Sequence, residues 1–332
     1  MNILVTGGAG YIGSHTVYEL LAKDYNVTVY DNLSKGHCAA VPQAVLVQGD
    51  IRDSELVCRT LLDNRIEAVI HFAADSLVGE SMTDPAKYYH NNTVATLALL
   101  DSLRACNVRK IVFSSTAAVY GEPEKTPITE NMATCPTNVY GRTKLIIEGI
   151  LADYDRAYGL SYVSLRYFNA AGAIDGGDIG EDHAPESHLV PLILKTALGQ
   201  REAVDIYGTD YSTPDGTCIR DYIHVSDLAV AHVLALEHMA GGGQSAIYNL
   251  GSETGFSVRQ VIDRAKAITG RDFSVREIAR RPGDPAVLVA SSAKIRRDLG
   301  WQPVRSNLDS IITSAWQWHQ SHPLGYGKKT RG

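Results

Sequence analysis

The sequence predicts an α/β protein with a doubly wound parallel sheet and a smaller C-terminal α/β lobe. In the first half of the chain, short apolar runs such as residues 68–72 alternate with amphipathic stretches. Nearly unbroken apolar runs are typical of strands that helices cover on both faces. A glycine-rich turn joins the first apolar run directly to the first amphipathic stretch. Beyond Asn169, loops rich in Gly, Asp and Glu interrupt the alternation, which indicates a second lobe.

The predicted elements follow from hydrophobic periodicity and from the turn residues between the apolar runs. Strands are predicted at residues 3–5, 27–30, 44–48, 68–72, 110–114, 162–166 and 246–250. Helices are predicted at residues 12–21, 54–64, 85–106, 138–158, 189–198, 226–239, 258–269 and 307–319. We expect a first domain at residues 1–168 and a mainly substrate-binding lobe at residues 169–332. A segment at about 219–250 should return to the main domain.

Composition and charge argue against several classes of protein. The 332 residues carry a formal net charge of -6, which disfavours a nucleic-acid binder or a protein of acidic membrane surfaces. The five cysteines are scattered and form no C-x-x-C pair, so neither a metal site nor a disulfide framework is expected. The first strand begins almost at once, and no apolar run approaches membrane-spanning length. We therefore expect a cytoplasmic protein without a signal peptide or a membrane span.

The glycine turn predicts a dinucleotide site. Gly7, Gly10 and Gly13 lie between the first strand and the first helix, where glycines let the chain bend and let a pyrophosphate approach the helix start. A tight turn without a ligand would show the same spacing. Asp31 ends the second apolar run about twenty residues later, where such sites hold an acid for the ribose. This acid favours NAD over NADP, although the positive charge of Lys35 close behind it argues the other way. The predicted sheet is therefore a Rossmann-type NAD-binding fold.

Residues with catalytic potential follow the ends of later strands, where parallel sheets bind ligands. A Ser-Ser-Thr run ends at Thr116, and Tyr140 and Lys144 lie four residues apart on one face of a predicted helix. Tyrosine has an ordinary pKa of about 10, so action as a base near pH 7 needs about 4 kcal/mol from nearby positive charge. An exposed helix pair would have the same spacing. Here the pair follows the glycine turn and the Ser-Ser-Thr run along the chain. In this order it indicates a catalytic tyrosine whose pKa is lowered by a lysine and by an oxidised nicotinamide.

Motifs along the whole chain resemble those of one family. They read TGGAGYIG, DNLS, HFAA, VGES, FSSTAAVYGEP, NVYGRTK, LRYFNAAGA, DGTCIRDYIHVSDLA and RRPGD, with a Leu-Gly-Trp that ends at Trp301. Together they resemble the extended branch of the short-chain dehydrogenase/reductase superfamily, and within it the nucleotide-sugar 4-epimerases. The resemblance implies a UDP-hexose substrate, oxidation and re-reduction of its carbon 4 with tightly bound NAD, and a role in galactose metabolism. It also implies a homodimer that pairs through the helices at residues 85–106 and 138–158.

The resemblance also implies roles for individual residues. Tyr140 would be the catalytic base, Lys144 would lower its pKa and hold the nicotinamide ribose, and Thr116 would bind the sugar 4-hydroxyl. The residues implied to hold NAD are Gly7, Gly10, Tyr11, Ile12, Gly13, Asp31, Asn32, Leu33, Ser34, Lys35, Gly36, Asp50, Ile51, Phe72, Ala73, Ala74, Ser76, Asn91, Ser114, Tyr140, Lys144 and Phe168. The residues implied to hold the nucleotide sugar are Thr116, Tyr140, Asn169, His188, Leu189, Asp205, Tyr207, Arg220, Arg281, Asp284 and Leu288. A local ion pair with Asp221 is the alternative reading of Arg220.

Two positions bear on how tightly the cofactor is held and on which sugar is preferred. Ser76 stands where many have a lysine near the NAD pyrophosphate, so we expect weaker cofactor retention or compensation elsewhere. Leu288 aligns with the residue beside the sugar 2-position, where a bulky side chain should crowd an N-acetyl group. UDP-glucose and UDP-galactose are therefore favoured over the N-acetylhexosamines.

Several other functions are alternatives to this interpretation. A nucleotide-sugar 4,6-dehydratase places Asp and Glu directly after the active-site threonine, whereas this chain has Ala117 and Ala118, which cannot transfer a proton. A decarboxylase or net dehydrogenase would release NADH. A 4-epimerase for UDP-N-acetylglucosamine, UDP-xylose or UDP-glucuronate and a non-catalytic NAD-sensing scaffold are further alternatives.

Overall fold

The computed structural model describes residues 1–281 and 284–327. The strands are β1 (Asn2–Thr6), β2 (Asn26–Asp31), β3 (Val45–Gln48), β4 (Ala68–His71), β5 (Lys110–Ser114), β6 (Ser161–Tyr167), β7 (Asn169–Ala171), β8 (Ala203–Tyr207), β9 (Ile219–Arg220), β10 (Tyr222–His224), β11 (Ala246–Leu250), β12 (Phe256–Ser257), β13 (Ser274–Ile278) and β14 (Val287–Leu288). The α-helices are α1 (Tyr11–Ala22), α2 (Ser54–Asp63), α3 (Val78–Thr83), α4 (Pro85–Tyr88), α5 (Ala95–Ala105), α6 (Val139–Tyr158), α7 (Leu189–Ala197), α8 (Val225–Ala240), α9 (Val258–Thr269), α10 (Ala293–Leu299) and α11 (Leu308–Ser321).

Seven parallel strands form the main sheet in the spatial order β11-β6-β5-β4-β1-β2-β3. Alternate residues of β1 face opposite sides of this sheet. Ile3 and Val5 pack in a cluster with residues of α1 and α8, whereas Leu4 packs in a second cluster with residues of α2, α5 and α6. All three side chains are fully buried, and each burial contributes about 1.5–3 kcal/mol. The predicted doubly wound α/β fold is confirmed.

The strand order reverses at β1, which lies between β2 and β4. Chains that leave the carboxyl ends of β1 and β4 therefore diverge to opposite sides and leave a crevice between them. The Phe72 N–H donates to the Thr6 carbonyl over 2.8 Å at this point. The turn after β4 thus lies against the glycine turn after β1, and this contact positions the site.

The predicted helix at residues 85–106 is interrupted. It consists of α4, a π-helical segment at Tyr89–Val94, and α5. π-helical turns insert a residue into a helix and occur often at functional sites. Here the segment directs Asn92 into the interior, where its amide donates to the Asp75 carbonyl over 2.9 Å and to Thr143 Oγ1 over 3.1 Å. Helical periodicity alone cannot reveal such an insertion.

The second half of the chain forms three small sheets, with strand orders β10-β7, β12-β9-β14 and β13-β8. Helices α7, α9 and α11 contribute to a third hydrophobic cluster around Ile193, Val261 and Ile311. Segment Ala246–Leu250 pairs with β6 at the edge of the main sheet. Of the strands in this half, only β11 was predicted. Strands β7, β9, β10, β12 and β14 have two or three residues each, and β13 is mostly exposed. Strand β8 has five mostly buried residues and was overlooked. Pro282 and Gly283 of the RRPGD motif, and residues 328–332, lie outside the described residues.

None of the helices in the described part of the chain is long and apolar enough to cross a membrane.

Candidate active site

The turn after β1 is shaped for close approach of a phosphate. Gly7 has a φ of +71°, and a Cβ there would lie 2.5 Å from the Ala73 nitrogen. A Cβ at Gly13 would lie 2.3 Å from the Gly7 carbonyl oxygen. Helix α1 begins directly after Gly10, which makes no side-chain cap, and its first turn contains no acidic residue. The N–H groups and the dipole at this helix start therefore face the crevice and favour an anion.

Asp31 is held in place at the end of β2. Its side chain is buried, with Oδ2 accepting from the Ala9 N–H over 2.9 Å and Oδ1 from the Leu33 N–H over 2.8 Å. Burial raises the pKa of Asp31, and the two backbone hydrogen bonds offset part of this rise. The fixed carboxylate borders the cleft, so it fits the ribose-binding role predicted for an NAD site.

A cleft of about 890 Å³ lies above the carboxyl ends of the main strands. All but one of the residues predicted to hold NAD line it. They are Gly7, Gly10, Tyr11, Ile12, Gly13, Asp31, Asn32, Ser34, Lys35, Gly36, Asp50, Ile51, Phe72, Ala73, Ala74, Ser76, Asn91, Ser114, Tyr140, Lys144 and Phe168. The exception is Leu33, which instead packs against the main core and orients Asp31 through its N–H group.

The start of α6 brings Tyr140 to Thr116. Asn138 caps this helix by accepting from the Gly141 N–H over 2.8 Å. A Cβ at Gly141 would lie 2.5 Å from the Ala118 carbonyl oxygen, so only glycine allows the helix to approach the turn after β5 this closely. The Lys144 Nζ donates to the Ser114 carbonyl over 2.9 Å and lies 6.0 Å from the centre of the Tyr140 ring.

The pKa values of this group are governed by burial. Burial raises the pKa of Tyr140, and a hydrogen bond with Thr116 offsets part of the rise. Burial lowers the pKa of Lys144 to about 7, against the opposing effect of Glu148. The low-dielectric interior therefore disfavours the charged forms of both side chains in the chain alone. A lowering of the Tyr140 pKa by Lys144 together with an oxidised nicotinamide stays a prediction.

A buried charge network lies behind the lysine. Glu148 is one helical turn beyond Lys144 and accepts from Ser115 Oγ over 2.6 Å and from Arg166 Nε over 2.9 Å. Arg166 also donates to the Tyr120 hydroxyl over 2.8 Å. The side chains of Glu148 and Arg166 are only 3% and 5% exposed. This network joins α6 to β6 and the turn after β5, and sequence spacing alone did not reveal it.

The predicted nucleotide-sugar residues are divided between the cleft and an adjoining pocket of about 230 Å³. Those lining the cleft are Thr116, Tyr140, Asn169, His188, Arg220, Arg281, Asp284 and Leu288. Those lining the pocket are Asn169, His188, Leu189, Asp205, Tyr207, Arg220, Arg281 and Asp284.

Two arginines face the space that the cleft and the pocket share. Arg220 forms an ion pair with Asp284 rather than the alternative pair with Asp221. The Arg281 guanidinium lies 3.7 Å from the centre of the Tyr207 ring. Guanidinium groups bind two oxygens of a phosphate at once, so their placement fits a diphosphate. By contrast, Asp205 lines the pocket but is engaged by Arg276, whose Nε donates to it over 2.8 Å.

Sequence reasoning missed a group of residues around His188. Burial lowers the pKa of His188, but Glu181 and Glu186 outweigh burial and raise it to about 10. Burial raises the pKa of Glu181, but His188 and His183 outweigh it and lower it to about 2. The spacing of these residues in the stretch 181–188 was visible in the sequence, but the predictions singled out only His188 and Leu189.

Lys35 and Ser76 are the two predicted positions that bear on positive charge near the cofactor. Lys35 lines the cleft, and its Nζ donates to the Ala184 carbonyl over 2.8 Å, so it connects the β2 turn to the loop before α7. Ser76 also lines the cleft. Lys87, which forms an ion pair with Glu80 over 2.8 Å, lies 4.0 Å from Asp75 in the same wall.

The fold and site define a nucleotide-dependent enzyme of the short-chain oxidoreductase type, with a dinucleotide turn and a tyrosine–lysine pair. The chain belongs to the NAD dependent epimerase/dehydratase family, whose sequence model matches residues 3–251.

Individual relatives are similar over nearly their full length. The chain is 54% identical over 331 residues to the UDP-glucose 4-epimerase of Halalkalibacterium halodurans, covering 100% of this chain and 99% of the relative. The UDP-glucose 4-epimerase of Brucella ovis, solved in complex with NAD, is 51% identical with a TM-score of 0.93, covering 95% and 97% of the two chains. The Bifidobacterium longum UDP-glucose 4-epimerase, solved with NAD+ and UDP, is 41% identical with a TM-score of 0.93, covering 98% and 100%.

Proposed function

We propose that this chain is an NAD-dependent isomerase that interconverts UDP-galactose and UDP-glucose, the reaction of the UDP-glucose 4-epimerases. The observation that carries the proposal is the convergence of Thr116, Tyr140 and Lys144 on a cleft whose other wall is the glycine turn. Relatives that bear this name are about half identical to the chain over nearly its whole length. The cofactor is NAD, consistent with the family and with relatives solved in complex with it.

NAD would be held by the glycine turn, by Asp31 at the ribose and by Lys144 near the nicotinamide ribose. When bound, it supplies reversible hydride transfer at carbon 4 of the sugar. Tyr140 takes the proton from the 4-hydroxyl as carbon 4 is oxidised, and returns a proton as carbon 4 is reduced on its other face. Thr116 contacts Tyr140 and orients the hydroxyl. The positive charge of an oxidised nicotinamide would add to that of Lys144, and the two charges together would lower the Tyr140 pKa.

Arg220 and Arg281 would bind the diphosphate of the nucleotide sugar. Both lie where the cleft meets the small pocket, so the sugar points to Tyr140 and the nucleotide to His188 and Leu189. A substrate held by its nucleotide and diphosphate leaves the sugar free to rotate, which epimerisation requires.

The dehydratase reading has no support from the turn after β5. Ala117 and Ala118 both border the cleft beside Thr116, and neither methyl group can donate or accept a proton. The family includes dehydratases as well as epimerases, so this position favours epimerisation within it.

The proposal is tested by incubating the purified full chain with UDP-galactose, with and without added NAD, and separating the products. UDP-glucose should form until both sugars reach equilibrium, while absorbance of reduced nicotinamide stays flat. UDP-N-acetylgalactosamine and UDP-xylose serve as comparison substrates. Failure to form UDP-glucose, or steady accumulation of NADH, would overturn the assignment.

Leu288 is proposed to restrict the sugar. It lies on β14, paired in register with Arg220 of β9, and borders the cleft. Leu288→Ser should raise kcat/KM for UDP-N-acetylgalactosamine relative to UDP-galactose by about tenfold or more, because it removes bulk beside the 2-position. The neighbouring Val287→Ala is the matched control. An unchanged ratio in Leu288→Ser would show that another residue sets the preference.

We further propose a homodimer that pairs through α5 and α6. Large apolar side chains are exposed on or beside these helices, at 49% for Val94, 39% for Leu97, 39% for Ile146 and 46% for Tyr158. Such surface apolar groups favour association. Light scattering should give twice the chain mass for the wild type and one chain mass for Ile146→Asp. A monomeric wild type at micromolar concentration would contradict the pairing.

We also propose two domains, residues 1–168 and residues 169–332, with a segment at about 219–250 that returns to the first domain. The pairing of Ala246–Leu250 with β6 supports this arrangement. We also propose a cytoplasmic location, because all five cysteines are free thiols, as is usual in a reducing compartment.

A further inference from the structure

Four potential metal ligands converge in the loop before α7. We call Glu181, His183, Glu186 and His188 the His–Glu cluster. Each offers one ligand atom, and these atoms all lie within 4.8 Å of one another. The cluster contains none of the residues proposed to act at carbon 4, although three of its members border the same cleft. Neither the family description nor the relatives' names refer to a metal.

The spacing of the ligand atoms matches a small tetrahedral ion. His183 Nδ1 lies 3.1 Å from Glu181 Oε1 and 3.9 Å from Glu186 Oε2. His188 Nδ1 lies 2.7 Å from Glu181 Oε1 and 3.1 Å from Glu186 Oε1. In a tetrahedral zinc site with bonds of about 2.0–2.1 Å, neighbouring ligand atoms are about 3.3 Å apart. The observed separations lie on both sides of this value.

Glu186 provides an independent sign of a missing ligand. Its side chain is only 5% exposed. Oε1 accepts from the Ser187 and His188 N–H groups over 2.8 and 2.9 Å, whereas Oε2 is buried without a hydrogen-bond partner. A buried carboxylate oxygen without a partner is costly. Because Oε2 points towards His183, an ion inside the cluster would satisfy it.

An ion can reach the cluster from the cleft, and there it would hold together two parts of the chain. Glu181, His183 and His188 line the cleft, so an ion can enter from solvent. The loop that carries them also contacts the NAD turn, since the His183 ring lies 6.2 Å from that of Tyr11. It ends at Leu189, where α7 begins.

We propose that the His–Glu cluster is a zinc site that fixes the loop between the NAD turn and α7. Two imidazole nitrogens and two carboxylate oxygens form a donor set that suits Zn²⁺ in tetrahedral coordination. The ion replaces direct hydrogen bonds between the imidazoles and carboxylates. Binding breaks no covalent bond, so it requires no co-reactant.

The proposal does not rest on the proposed reaction, because metal binding is measured without substrate. The purified full chain is stripped with a chelator, dialysed and titrated with Zn²⁺ alone against a chromophoric competitor. We expect one ion per chain, and binding weakened about tenfold or more in Glu186→Gln and in His183→Gln. His90→Gln, on the surface outside the cluster, should bind zinc like the wild type.

Two further measurements separate a true site from a hydrogen-bonded network. Co²⁺ in place of Zn²⁺ should give the visible absorption of tetrahedral cobalt in the wild type and lose it in Glu186→Gln. Zinc should also raise the thermal midpoint of the wild type and of His90→Gln but not of Glu186→Gln, because only an ion that binds the native state stabilises it.

Absence of one-to-one binding by the stripped wild type would overturn the proposal and leave the cluster as an ion-paired network. Equal zinc affinity in wild type, Glu186→Gln and His183→Gln would also overturn it. Circular dichroism of each variant shows that it is folded, and if one variant fails to fold, the other and the cobalt spectrum of the wild type still decide.

Discussion

Tyr140, Thr116 and Lys144 illustrate what residue types at a given spacing can reveal. The four-residue separation of Tyr140 and Lys144 predicted that they share a helix face, and both line the cleft beside Thr116. Their pKa values were not predictable, because they depend on burial by distant parts of the chain. Burial raises the pKa of Tyr140 and lowers that of Lys144.

Removal of the Tyr140 hydroxyl tests its role as the proton carrier. Tyr140→Phe should lower kcat for UDP-galactose roughly 10²–10⁴-fold, the usual contribution of general acid–base catalysis. Bound NAD, measured after its release by denaturation, should remain at the wild-type level. Tyr18→Phe changes an exposed tyrosine on α1, away from α5 and α6, and serves as the control. Undiminished turnover in Tyr140→Phe would mean that another group moves the proton.

The buried Glu148–Arg166 pair makes a prediction about stability. Glu148→Gln leaves the Arg166 charge without its partner, and breaking one side of a buried pair costs about 3–5 kcal/mol. The free energy of unfolding, measured with urea, should fall by this amount. Replacing both residues, with Glu148→Leu and Arg166→Met, should restore much of the loss. A double variant as unstable as the sum of its two single changes would contradict this account.

At the scale of elements, patterns predicted regular helices and strands but not the places where they depart from regularity. Strand ends were within about one residue of their predicted positions. The π-helical segment at Tyr89–Val94 and the His–Glu cluster were both missed. The expectation of no metal was argued from the cysteines and did not consider the histidines and glutamates of the stretch 181–188, which the fold of one loop brings together.

The turn from β1 to α1 depends on the absence of a side chain at Gly13. Gly13→Ala would place a Cβ 2.3 Å from the Gly7 carbonyl, so the strand and helix must separate. NAD bound per chain should fall, and the thermal midpoint should fall with it. Gly241→Ala is the control, because its Cβ would meet its nearest neighbour at an ordinary 3.5 Å. Normal NAD content in Gly13→Ala would show that the turn tolerates the shift.

At the scale of the whole molecule, the core holds several histidines in neutral form. Burial is the main cause that lowers the pKa of His71 to about 3 and of His15, His224, His232 and His319 to about 4. In the unfolded chain a histidine has a pKa of about 6.5. Between pH 6.5 and about 4 the unfolded state therefore binds protons that the native state does not.

The free energy of unfolding should accordingly fall as the pH falls from about 6.5 to 4. His232→Leu removes one such proton, so its stability should depend less steeply on pH, by about 1.4 kcal/mol per pH unit. His232 packs 4.6 Å from the Phe72 ring, and leucine keeps apolar bulk there. Val230→Leu, on the same helix, removes no titratable group and should retain the wild-type slope. The same slope in His232→Leu would mean that His232 is protonated in the native state.

The sequence by itself determined the fold class, the glycine turn after β1, and the order of the candidate catalytic residues along the chain. These depend on local periodicity and on short spacings, which neighbouring residues carry. Only the tertiary structure decided which charged side chains lie close enough to pair with one another. The Glu148–Arg166 pair, the Arg220–Asp284 pair and the His–Glu cluster follow from how distant segments or a folded loop meet. Burial and pairing are properties of the packed chain, so no local pattern contains them.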